Sequence, residues 1–242
     1  FGALIYWLYQ LNWFGQITAW FLTGITYCII YRKRRQSKEK ASTNNRINWT
    51  SWPLLIIIVG LLFYLSKQQS LNALQSPWTE IGWPFWLAYW LLAAIGLWLI
   101  KSGRQISLAT IAVWWLLTYS LASLIYFSAF GFDPFVHQAT EKTIIAQGQI
   151  TPKTPYYLGQ YALVISLHRL TKLPIDQVER FLLSGLIAIF IPWLISVWFK
   201  NRQFNQSAGR LVLWLWPMIS WPIFIVTTPQ NCAYFFLIIT VV

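Results

Sequence analysis

Long apolar blocks alternate along this chain with short polar ones. A block of about 18 or more apolar residues is long enough for a helix to cross a membrane. One block covers roughly 13–31, with residues 1–9 reading as the tail of an earlier span and "QLNWFGQ" as the turn between them. Further blocks lie at roughly 52–66, 84–100, 106–130, 180–199 and 210–227, and a last one opens near 232. The pattern predicts an all-α fold, a polytopic transmembrane helical bundle. It breaks between 131 and 177, where only a short apolar piece at 156–167 interrupts polar sequence.

Composition strengthens this picture. Hydrophobic residues make up 57% of the chain and charged residues 10%, too few to cover a soluble surface. The net charge of +12 raises the question of nucleic acid, but the cations gather between apolar blocks, as in cytoplasmic loops. "YRKRRQSKEKASTNNR", "KSGRQ" and "KNRQFNQSAGR" together hold twelve of the eighteen Lys and Arg residues, and they alternate so that all three can face the cytoplasm. The segment 131–177 then faces outward. The run 32–40 reads as a topology anchor, with a patch for anionic lipid or nucleic acid as the other reading. The glycosylation patterns "NWT" at 48–50 and "NQS" at 205–207 fall on the cytoplasmic side and are expected to stay unmodified. Cys28 and Cys232 have no metal or redox spacing. The chain opens at Phe1 and stops within the apolar "FFLIITVV", which reads as a fragment of a longer protein.

The outward segment concentrates scarce ionisable groups. "GFDPFVHQATEK" at 131–142 holds two of six carboxylates and one of two histidines. Asp133 before Pro134 suits a helix start, and Gly148 suits the position just past its end. On that helix Asp133, His137 and Glu141 recur every four residues and are expected to line one strip. Capping accounts for Asp133 equally well, and an ordinary solvated pair for His137 and Glu141. The piece at 156–170 is too short to span and carries aromatic and cationic residues, which suits a helix lying in the interface or packed on the surface.

"FDPF" at 132–135, "TPYYLGQY" at 154–161 and "DQVERFLLSGL" at 176–186 follow one another in an arrangement that resembles the GT-C superfamily of polytopic glycosyltransferases. The first motif is similar to the first-loop motif of the oligosaccharyltransferase catalytic subunit. The later two look more like the protein mannosyltransferase and aminoarabinose transferase branch, with "TPYY" where a twin proline is usual. The resemblance covers roughly 106–242 as a GT-C-like core, and leaves 1–105 as extra N-terminal spans. No second acidic motif of the oligosaccharyltransferase kind is present.

The resemblance implies a membrane glycosyltransferase that moves a sugar, with inversion, from a polyprenyl-phosphate donor to a lipid, glycan or protein acceptor. One base must take the acceptor's proton, and the departing phosphate needs positive charge rather than a strong acid. By matching the family's loop aspartate, Asp133 is the expected base, with His137 or Glu141 orienting it or the acceptor. Lys153, Arg169 and Arg180 are candidates for the donor phosphate, and Tyr156, Tyr157 and Gln160 for substrate contact. Gln230 and Asn231 suit sugar hydroxyls or, equally, a cap on the final helix. A divalent cation is possible through Asp133, with His137 and Glu141, though three ligands along one helix converge poorly. The implied location is the bacterial cytoplasmic membrane, with the loop facing the periplasm or exterior and no nucleic-acid partner. The alternative is a lipid-linked sugar flippase or another non-enzymatic transporter, which should carry charge inside its spans.

Overall fold

In a computed structural model the described residues are 51–70, 77–127, 130–149, 157–202, 205–219 and 225–241. The blocks expected at 1–9 and 13–31, the basic run 32–40, Cys28 and "NWT" lie outside them, as do Lys153 and Tyr156. The described elements are helical, with no strand among them: α1 (Trp52–Lys67), α2 (Trp83–Lys101), α3 (Leu108–Tyr119), α4 (Leu121–Ile125), α5 (Asp133–Gln147), α6 (Leu158–Thr171), α7 (Ile175–Asn201), α8 (Gln206–Leu215) and α9 (Pro229–Val241). The all-α expectation holds.

Local chemistry sets the helix ends. Proline opens α1 and α2, where its missing N–H costs nothing, and a lysine closes each of them against the helix dipole. Ser107 caps α3 by accepting from the Thr110 N–H, and Asn205 caps α8 through the Ser207 N–H. The α2 and α7 helices are long and apolar enough to cross a membrane, whereas α1 and α3 are apolar but shorter. Two expected blocks are interrupted. The 106–130 block breaks at Ser120 into α3 and α4 and ends in extended backbone at Tyr126, where Ser70 and Tyr126 form an isolated bridge. The 210–227 block is not one helix either: α8 gives way to a 3-10 turn at Trp216–Met218, because Pro217 has no N–H to continue the α ladder.

The described residues fall into two compact units, one of Phe135–Glu179 and one of 51–134 with 180–241. The larger unit is built on aromatic packing. Trp114 stacks on Trp214 at 4.9 Å between centroids and on Tyr89 at 4.6 Å. The proline at 217 leaves the Leu213 carbonyl without its helical donor, and the Trp115 indole N–H supplies one at 2.7 Å. Trp114 Nε1 donates to the Trp214 carbonyl, and Trp214 Nε1 to the Ala93 carbonyl, each at 3.0 Å. Gly96 makes room for this indole; a Cβ there would lie 2.1 Å from Trp214 Cε2.

The outer face of α2 is a continuous apolar stripe. Trp83, Leu87, Trp90, Leu91 and Trp98 are exposed at helical spacing, while Phe85, Tyr89, Leu92, Ala93 and Leu99 are buried. On α7 the large residues Ile189, Trp193 and Val197 are likewise exposed. Stripes of this kind exceed what a soluble monomer ordinarily shows to water.

A buried carboxylate pair as the candidate functional site

The smaller unit contains α5 from Phe135 onward, α6 and the head of α7. Gly148 takes a left-handed φ of 77° and closes α5 through its N–H to the Ile144 carbonyl at 2.8 Å, as the sequence led one to expect. Asp133 stands in the first turn, exposed, after the exposed Phe132.

The expected strip of three ionisable groups does not form. Residues four apart on a helix advance by about 40° around its axis, so two such steps turn Glu141 well away from Asp133. Asp133 is exposed, His137 half-buried and Glu141 fully buried at 0% exposure. The buried face of α5 is instead Gln138, Glu141 and Ile144, at three-residue spacing.

Facing this stripe is a second acid that the loop reading passed over. Glu179, 1% exposed, belongs to the first turns of α7, on the face that carries Ile175, Val178 and Leu182 inward. Its place four residues after Ile175 and four before the buried Leu183 was visible in the sequence as a carboxylate on an apolar stripe. None of the carboxylate oxygens of Glu141 or Glu179 has a hydrogen-bond partner. Gln138 is 7% exposed and its amide nitrogen is unpartnered; Gln160 of α6 is 5% exposed with both amide atoms unpartnered. Gln138 lies beside Glu179, yet no bond of ordinary geometry joins them. Burial pushes the Glu141 carboxyl up from its ordinary 4.5 to about 10, and the neighbouring Glu179 charge adds to the rise.

The other candidates occupy varied settings. His137 Nδ1 is 3.0 Å from the Tyr161 hydroxyl, and its ring meets Tyr157 edge-on at 5.7 Å. Tyr157 is exposed and sits at φ 62°, at the N-terminus of α6. Arg169 is half-buried in the last turn of α6, with its Nε unpartnered. Arg180 belongs to the larger unit: its Nη1 donates to the Phe127 carbonyl and its guanidinium lies over the Phe181 ring. That pairing ties Arg180 to the backbone after α4, a structural duty the sequence did not disclose.

At α9, Thr228 rather than Asn231 makes the cap, accepting from the Asn231 N–H at 3.2 Å. Asn231 Nδ2 donates to the Val226 carbonyl and Gln230 Nε2 to the Tyr234 hydroxyl, each at 2.9 Å. Of the two readings for this turn, local bonding accounts for both side chains. Cys232 is buried.

Among the described residues no group of three or more His, Cys, Asp or Glu converges as metal ligands, so Asp133, His137 and Glu141 do not form a set. Comparison with protein-family models, curated proteins and solved structures finds no match to this chain.

Proposed function

We propose that this chain belongs to an integral membrane glycosyltransferase that uses a polyprenyl-phosphate sugar donor at the outer face of a bacterial cytoplasmic membrane. The observation that carries the reading is Asp133, an exposed carboxylate in the first turn of α5, within "FDPF" and beside the exposed Phe132. The apolar stripe of α2 and the length of α7 support the membrane setting, and α6 suits the interfacial helix of the GT-C arrangement.

In this reaction an acceptor oxygen or nitrogen bonds to the anomeric carbon from the face opposite the phosphate. The bond from that carbon to the phosphate oxygen breaks, and polyprenyl phosphate leaves as an anion. Asp133 takes the acceptor proton. Arg169, whose Nε N–H is left unpartnered, is assigned to the departing phosphate. Arg180 is already engaged by Phe127 and is the weaker choice.

Labelled-sugar transfer in native membranes, from the full-length parent and several polyprenyl-phosphate donors, tests this. Asp133→Asn at matched expression should lose about a hundredfold or more. Equal transfer by both proteins would make Asp133 a helix cap. A second reading, a flippase or transporter, is favoured by one observation: Glu141 and Glu179 are buried acids, and buried acids in membrane proteins commonly serve ion or proton pathways. Movement of donor lipid across liposomes by purified protein, without transfer, would select it.

A further inference from the structure

The larger unit leaves a simple contrast with the smaller one: its buried indoles are bonded, while four carboxylate oxygens and three amide atoms of Gln138 and Gln160 in the smaller unit are not. Burying a single carboxylate without a partner is costly, and burying two together is costlier. The transfer reaction uses neither glutamate, so their burial calls for a separate account.

We propose that Glu141, Glu179, Gln138 and Gln160 form a buried binding site for a hard divalent cation of the calcium type. Hard cations bind through oxygen, and each of these side chains offers it. Two carboxylates that bind through both oxygens and two amide carbonyls amount to about six ligands, the lower end of the range for Ca2+. The amides can rotate to present either atom, and Gln138 already lies beside Glu179. One divalent ion balances both carboxylates at once. The exposed Lys142 lies near Glu179 but makes no hydrogen bond to its oxygens. Asp133 lies two turns earlier on α5 and is not a ligand, so the site stands apart from the transfer reading.

The helices explain what such an ion would do. Glu141 comes from the middle of α5, Glu179 from the head of α7 and Gln160 from the first turn of α6. One cation would pin three helices together.

The test uses full-length chain in nanodiscs after chelator treatment, with Tb3+ as the probe, excited through aromatic side chains such as Tyr161. Saturable emission that excess Ca2+ reverses is expected. Affinity should fall at least tenfold in Glu141→Gln and in Glu179→Gln, and be unchanged in Asp133→Asn. Gln138→Met, which keeps the side-chain length and loses the oxygen, should weaken binding by several-fold. Melting each variant in chelator shows that the fold is kept. Wild type without Ca2+-reversible emission, or undiminished affinity in both glutamate variants, would overturn the proposal.

Discussion

Three indole N–H groups are buried where α2, α3 and α8 meet, and each donates to a backbone carbonyl. Four carboxylate oxygens are buried among α5, α6 and the head of α7, and none has a donor. Both regions place polar atoms out of water, at comparable depth. In the first, each polar atom repairs a defect: Trp115 serves the carbonyl that Pro217 orphans. In the second, polar atoms create the defect. A satisfied buried group is explained by the fold that it completes, whereas an unsatisfied one needs a ligand, a proton or a use. The two regions thus contrast polar atoms that complete the fold with polar atoms that it leaves unsatisfied.

The largest test breaks the first region. Gly96→Ala would put a Cβ at 2.1 Å from the Trp214 ring, which is held on the other side by Trp114 and by its own bond to Ala93. The indole cannot retreat without losing that bond. Overpacking of this kind costs about 3 kcal/mol or more when nothing gives. Thermal unfolding in detergent should show a drop of several degrees, or no folded protein. A variant that melts with wild type would mean that the aromatic cluster is loose.

An opposite sign is expected in the second region. The Glu141 carboxyl ordinarily ionises near 4.5 and is held near 10 here, so the folded state binds the proton that the unfolded state releases. Its contribution to stability is fully present below about 4.5 and is lost as pH rises toward 10. Glu141→Gln removes the ionisable group at equal volume. In chelator the variant should melt higher than wild type at pH 8, by about 5 °C or more, and with a flatter pH profile. A lower melting point, or an unchanged pH slope, would show that Glu141 is satisfied and charged in the folded protein.

The sequence discloses these regions unequally. Helices α1, α2 and α7 follow from apolar blocks, and the end of α5 from Gly148, because those signals are local. The breaks at Ser120 and Pro217 were hidden inside apolar runs, where hydropathy is blind to backbone geometry. Pro217 was the one clue to the second of them. At the site, Asp133 was legible from its Asp-Pro setting. Glu141 was assigned to the wrong face, because three residues at four-residue spacing share a strip only approximately and drift inward over two turns. Glu179 lies within "DQVERFLLSGL", but its partner depends on how α7 packs against α5, which no local pattern encodes. The Trp114, Trp115 and Trp214 cluster joins residues about a hundred positions apart and was invisible for the same reason.

A smaller and more selective test asks whether Trp115 repairs the proline defect or merely fills space. Trp115→Phe removes the indole N–H and leaves the Leu213 carbonyl buried and without its donor, at a cost of about 1–3 kcal/mol that includes some lost packing. Pro217→Ala restores a backbone N–H at the position that α geometry assigns to that carbonyl. If the indole acts as a substitute for the missing donor, Trp115→Phe should cost about 1 kcal/mol less in the Pro217→Ala background than alone. Unfolding of the two single variants, the double variant and wild type measures that coupling. Strict additivity would mean that the hydrogen bond is incidental to the packing, and the first region would then be stabilised by aromatic area rather than by paired polar atoms. A positive coupling would show the chain answering a backbone fault with a side-chain donor, a provision that the buried carboxylates lack.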